Sequence, residues 1–111
     1  MFNPLEMLGK LKEMQAEMEK TRERLDDINV TAEAGGGMVR VTANANRKIL
    51  KVEVDPEIMD REDKEIMEDL IAAAVNKALE TAETTARDEI NKVSSGMMPN
   101  IPGFDLSKFG Q

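Results

Sequence analysis

The chain has 111 residues, no Cys and no His, and a formal charge of −7. That length suits one domain with a modest core, and without thiol or imidazole the chain builds no disulfide framework, zinc cluster, thiol nucleophile or His base. No apolar run nears the roughly 20 residues of a membrane span, and residues 1–6 lack the basic and apolar regions of a signal peptide, so a cytoplasmic setting is expected.

Residues 3–28 read as one helix. Asn3 is a favourable N-cap, and Pro4 sits at the first helical position, where its missing N–H costs nothing. Beyond it Met7, Leu11, Met14, Met18, Thr21, Leu25 and Ile28 recur at alternating spacings of four and three, an a/d seam that suits a partner helix better than a broad sheet. Spacing this regular marks the methionines as packing residues and not as a metal or promiscuous binding surface.

Residues 30–34, 38–44 and 48–54 are predicted strands. Val39, Val41 and Ala43 alternate with Arg40, Thr42 and Asn44, and Leu50, Val52 and Val54 alternate with Lys51, Glu53 and Asp55, the period-2 pattern of half-buried strands. Asn44-Ala45-Asn46-Arg47 supplies one turn, since Asn tolerates left-handed backbone, and Gly35-Gly36-Gly37 supplies the other. A glycine triplet could cradle a phosphate, but no Lys-Ser/Thr follows it and a strand comes next, so it reads as a structural turn. The result is a three-stranded antiparallel meander with one apolar face that something else must cover.

Asp55-Pro56 ends the last strand and Asp60 is a plausible N-cap for a second helix over 61–94, with Glu62 and Asp63 in its first turn, where the helix dipole favours acids. Its apolar stripe is broad from Leu70 to Leu79 and thins to mostly Ala afterwards, as if the first half covered the sheet and the second formed an arm. Adjacent acids such as Glu62/Asp63 and Glu68/Asp69 point about 100° apart on a helix and do not converge on a metal. Ser94-Ser95-Gly96 with Pro99 nearby reads as a helix stop, leaving 1–95 as a single α+β domain and 96–111 as a flexible Met/Pro/Gly tail. At 1.5 Å per residue the helices reach roughly 38 and 50 Å, against about 20 Å for the strands. Both helices overshoot the sheet, and a homodimer that shares the surplus is expected.

Four stretches in order resemble the YbaB/EbfC family of bacterial nucleoid-associated proteins: Gly35-Gly36-Gly37-Met38-Val39 after a Met-rich helix, Ile49-Leu50-Lys51-Val52-Glu53-Val54-Asp55-Pro56, Leu70-Ile71-Ala72-Ala73-Ala74-Val75-Asn76-Lys77-Ala78-Leu79, and Met97-Met98-Pro99-Asn100-Ile101-Pro102-Gly103-Phe104. The resemblance covers nearly the whole chain. It implies an α-β-β-β-α protomer, a tweezer-like homodimer and binding of double-stranded DNA with little sequence demand, and it implies a partner among DNA repair or recombination proteins. Asn44-Ala45-Asn46 departs from the family's usual Asn-Gly turn.

The basic groups carry the functional expectation. Residues 56–95 hold 11 acidic and 5 basic groups, whereas residues 29–55 hold 3 and 4, so the acid is concentrated on the second helix. On the first helix Lys10, Arg22 and Arg24 flank the seam at e and g positions. The expected DNA contacts, placed on the helices by the resemblance, are Lys10, Lys12, Lys20, Arg22 and Arg24, with Arg87 and Lys92 near the end of the second helix; Arg40, Arg47, Lys48 and Lys51 on the sheet are the alternative set. The expected dimer interface is Leu11, Met14, Met18, Leu25, Val39 and Val41. Such contacts read phosphates and not bases, and with Phe2, Phe104 and Phe109 as the only aromatics, base stacking on single strands is not the source of affinity. No cofactor, metal or catalysis is expected, because no acid, base and nucleophile converge. The rival expectation is an acidic adaptor dimer that grips another protein through its seams and tail.

Overall fold

The computed structural model describes residues 3–97. Helix α1 (Pro4–Leu25) leads into strands β1 (Asn29–Ala34), β2 (Val39–Asn44) and β3 (Ile49–Val54), then two short 3-10 turns (Pro56–Ile58 and Arg61–Asp63) and the long helix α2 (Lys64–Met97). The strands form one antiparallel sheet in the order β1-β2-β3. This is the α+β, α-β-β-β-α order that the periodicities predict.

The Asn3 side chain accepts the Leu5 N–H at 3.1 Å and Pro4 opens α1 as expected. The helix ends at Leu25 and not at Ile28, because the β2–β3 hairpin takes its last carbonyls. The Ala45 N–H donates to Leu25 O (3.2 Å) and to Ile28 O (2.9 Å), and the Asn46 side-chain amide donates to Arg22 O (3.0 Å) and to Asp26 Oδ1 (2.6 Å). A helix terminus without intrahelical partners is thereby satisfied by a loop 20 residues further on.

That loop is a type I turn closed by a bulge. The Arg47 N–H donates to Asn44 O at 3.0 Å, the Asn44 N–H to Lys48 O at 2.9 Å, and Asn44 Oδ1 accepts the Asn46 and Lys48 N–H groups, each at 3.0 Å. The left-handed residue is Arg47 (φ +64°) and neither asparagine; Asn44 is used instead as a buried side-chain acceptor. At the other reversal Gly35, Gly36 and Gly37 have φ of +66°, +66° and +92°. A Cβ at Gly35 would lie 2.7 Å from Leu70 Cδ1, so any other residue there has to displace the Leu70 side chain as well as adopt left-handed backbone.

The core lies between one sheet face and α2. Val30, Ala32, Val39, Val41 and Ala43 face Ala74, Ala78 and Ala82, which recur every four residues on one side of the helix and let its backbone approach the strands closely. Val39 and Val41 are 0% exposed within the single chain, and Leu25 is 2% exposed. These three expected interface residues are already enclosed, and a second chain has no access to them. α2 runs over β1 and β2 and barely touches β3, so Ile49, Leu50 and Val52 remain 36%, 46% and 43% exposed. A register shift between Thr42 and Ala43 pairs Ala43 with Ile49 and leaves Leu50 as the extra residue, so strict alternation holds for Val52 and Val54 but not for Leu50.

α2 enters through two caps: Asp55 Oδ1 accepts the Glu57 N–H at 2.9 Å, and Asp60 Oδ1 accepts the Arg61 N–H at 3.1 Å. The residues after Asp60 form a 3-10 turn before the α-helix starts at Lys64. At its far end the helix passes through Ser94-Ser95-Gly96 to Met97. Serine and glycine only weaken a helix by about 1 kcal/mol or less each; Pro99 is the first residue that cannot continue the ladder. Beyond the sheet α2 packs on α1. Since α1 approaches the sheet with its C-terminus and α2 leaves with its own, the two run in opposite directions along an arm, which gives the molecule extents of 72 × 26 × 15 Å. The seam of α1 thus finds its helical partner partly within the same chain: Met14 and Met18 are half-buried, and Thr21 and Leu25 are buried. The expected tail, 98–111, lies outside the described residues.

Candidate nucleic-acid interface

All seven helix candidates, Lys10, Lys12, Lys20, Arg22, Arg24, Arg87 and Lys92, are exposed, as are Arg40, Arg47, Lys48 and Lys51. Their surroundings separate them. Lys20 pairs with Glu17 at 3.6 Å, Arg87 with Glu83 at 3.3 Å and Lys92 with Glu89 at 3.1 Å. On the sheet Arg40 pairs with Glu33 at 3.9 Å and Lys51 with Glu53 at 3.4 Å. Exposed pairs like these add little stability, but each puts a carboxylate where a phosphate would sit. Among the described residues Lys10, Lys12, Arg22, Arg24, Arg47 and Lys48 form no ion pair.

The sheet face turned away from α2 alternates these charges across its strands, Arg40 opposite both Glu33 and Glu53 and Lys51 opposite Thr42. Two cations against two carboxylates leave that face without a net field. Lys10 and Lys12 sit on the part of α1, residues 4–13, that is exposed throughout. Three arginines gather elsewhere.

Arg22, Arg47 and Arg87 line one open groove, together with Leu25, Ala45, Asn46, Glu83, Ala86 and Ile90. Three elements meet there. Arg22 occupies the last turn of α1, where the helix dipole favours a cation. Arg47 is presented by its left-handed backbone at the hairpin tip. Arg87 comes from α2, held by a hydrogen bond to Glu83 Oε1 at 3.3 Å. Asn46 fixes the hairpin against α1 through Arg22 O and Asp26, so Arg22 and Arg47 are braced relative to each other. Arg87 is paired with Glu83, and Asp26 and Glu80 lie beside the groove, so the guanidinium groups there without an ion pair among the described residues are those of Arg22 and Arg47. Guanidinium forks suit phosphate oxygens, which they meet bidentately.

The structure therefore joins residues from both expected sets: Arg22 and Arg87 of the helix set and Arg47 of the sheet set. Sequence reasoning missed Asn46, the residue that brings them together. The signal was Asn44-Ala45-Asn46, two side-chain amides in a turn, of which only one is needed to shape the turn.

The described residues thus form a helix-sheet-helix unit in which Arg22, Arg47 and Arg87 share one open groove. The comparisons name the family. Residues 1–97 match the model of the YbaB/EbfC DNA-binding family. A nucleoid-associated protein of Thermoanaerobacter pseudethanolicus is 41% identical over 103 residues, 93% of this chain and 91% of that one. One from Chlorobaculum tepidum is 43% identical over 105 residues, 95% of this chain and 91% of the relative. The crystal structure of an uncharacterized protein from Helicobacter pylori superposes with a TM-score of 0.71 at 26% identity, covering 79% of this chain and 92% of that chain. The chain belongs to the YbaB/EbfC DNA-binding family, a family of DNA-binding and not of enzymatic proteins. No helix among the described residues is long and apolar enough to cross a membrane.

Proposed function

We propose that the protein binds double-stranded DNA as a homodimer, through phosphate contacts with little sequence demand, and that it works in the cytoplasm as part of the nucleoid, affecting its organisation and gene expression. The observation that carries this is the groove in which Arg22, Arg47 and Arg87 meet. Guanidinium groups at exposed helix and hairpin positions reach phosphates without entering a base-reading groove, and such contacts carry no sequence information. Lys10, Lys12, Lys20, Arg24 and Lys92 extend the contact along the arm, and Lys48 lies beside Arg47 on the hairpin. The names of the relatives support the nucleoid assignment.

The surface on β3 supports the dimer. Ile49, Leu50 and Val52 stand exposed on an edge strand that has no strand on its outer side among the described residues, with Met59 and Ile66 also exposed after it. An open apolar edge invites a second copy, and two copies double the number of arginine grooves facing one duplex. With −7 per chain, the acidic background opposes binding, so the affinity depends on these local cations.

A gel-shift series on random-sequence duplex DNA over several salt concentrations tests the proposal. Affinity should fall steeply with salt, and Arg22→Glu with Arg47→Glu should flatten the log–log slope by about 0.9 for each phosphate that is no longer engaged. Unchanged binding by that variant, with the fold intact, would remove the groove from the function. Binding to a protein partner that is flat in salt, with no DNA retention, would favour the adaptor, for which a DNA repair or recombination protein is the partner to try.

A further inference from the structure

Glu83 stands between two grooves. It lines the arginine groove with Arg22, Arg47 and Arg87, and it lines the neighbouring one with Asn46, Arg47, Asn76 and Glu80. The Arg87 guanidinium donates to Glu83 Oε1 at 3.3 Å, so one of the three arginines is already engaged by a carboxylate of its own helix. A Glu four residues before a cation is the favourable order for such a pair, and the contact forms with α2 itself, whatever stands opposite. The other carboxylates beside the groove hold no arginine. Asp26 accepts the Asn46 side-chain amide at 2.6 Å, and Glu80 forms no ion pair among the described residues.

On the reading of this groove as a DNA contact, we propose that Glu83 is a built-in competitor of the phosphate, holding Arg87 in the free protein and keeping the affinity of the groove below what three arginines would give. The Arg87 and Glu83 side chains remain 65% and 56% exposed, and a pair so open to water is weak and screened by salt. A phosphate offers the same guanidinium two oxygens in a bidentate arrangement and displaces the carboxylate. The exchange has two costs. It breaks the pair, and it leaves a negative charge facing the duplex, because positions 80, 83 and 87 share one face of the helix. Lys20 and Lys92 are paired in the same way, but those pairs lie outside the arginine groove. At Glu83 a single carboxylate therefore decides whether the groove offers two ready guanidinium groups or three.

Gel shifts of full-length variants on random-sequence duplex DNA, over several salt concentrations, provide the test. Glu83→Gln keeps the helix propensity and removes the charge. It should raise affinity about fivefold at low salt and steepen the log–log salt slope by about 0.9, the value of one added phosphate contact. Glu68→Gln is the control, since it removes the same charge from an exposed pair of the same spacing, with Lys64 at 3.8 Å, 15 residues earlier on α2. It should change affinity by less than about twofold. In an Arg87→Gln background the gain from Glu83→Gln should also fall below about twofold, because no guanidinium is left to release. A gain no larger than that of Glu68→Gln, or an equal gain in both backgrounds, would overturn the proposal. So would a loss of affinity, since Glu83 would then be orienting Arg87 for DNA. Arg22→Glu with Arg47→Glu, run alongside, separates this proposal from the groove itself. If that variant loses DNA while Glu83→Gln gains nothing, the groove stands and the competitor falls; if it binds as before, both fall.

Discussion

Val41 and Val52 stand opposite each other in the sheet, on the same face, and differ in what covers them. Val41 lies under α2 with none of its surface exposed, while Val52 keeps 43% of its surface open. Residue type, strand propensity and face are the same for both. The difference is set by α2, which crosses β1 and β2 and leaves the third strand bare. An apolar strand residue is thus buried or left exposed according to where α2 runs.

A carboxylate at each position should break the pair apart. Val41→Asp buries an unpaired charge and should cost more than about 3 kcal/mol, enough to abolish the cooperative thermal transition of so small a domain. Val52→Asp should change protomer stability by less than about 1 kcal/mol and instead convert the proposed dimer to single chains in sedimentation. If Val52→Asp also unfolds the chain, the protomer is not stable without its copy and the two valines belong to one shared core.

The glycine turn sharpens the same contrast between covered and open positions. Gly35→Ala meets both the left-handed backbone and Leu70 at 2.7 Å and should lose about 2 kcal/mol in denaturant unfolding; Gly36→Ala has the same φ with nothing within 4 Å and should lose only about 1 kcal/mol, the backbone cost alone. Equal losses would mean that Leu70 swings away at no cost.

Smaller effects are expected at the hairpin. Asn46→Ala removes the bonds to Arg22 O and Asp26 and should cost about 1 kcal/mol. By loosening Arg47 relative to Arg22 it should also weaken DNA retention at fixed salt. The smallest change in stability is at Arg47 itself. Arg47→Gly relieves a left-handed non-glycine residue and should stabilise the fold by up to about 1 kcal/mol, yet it should reduce the salt slope by about 0.9. A variant that is more stable and binds DNA less well would show that the strained position is kept for its cation and not for its turn.

Much of the fold was legible because its signals are local. Asn3-Pro4 set the start of α1, the alternation around Val39 and Val41 gave the strands, and the glycine triplet marked a reversal that only left-handed backbone can make. The candidate site was legible one residue at a time and not as a group. Arg22, Arg47 and Arg87 were each singled out, but in rival sets, because positions 22, 47 and 87 become neighbours only when the hairpin docks on the end of α1 and α2 passes over both. The early stop of α1 was illegible for the same reason: its last carbonyls are taken by Ala45 and Asn46 from a distant turn.

The sequence by itself determined the elements, since hydrophobic period, caps and turn residues act over a few neighbours and need no knowledge of the rest of the chain. Tertiary structure alone decided which apolar residues are spent inside one chain and which cations share a groove. Both depend on the path of α2, a 34-residue rod whose alanine stripe fits two strands and an adjacent helix but is too narrow to cover a third strand as well.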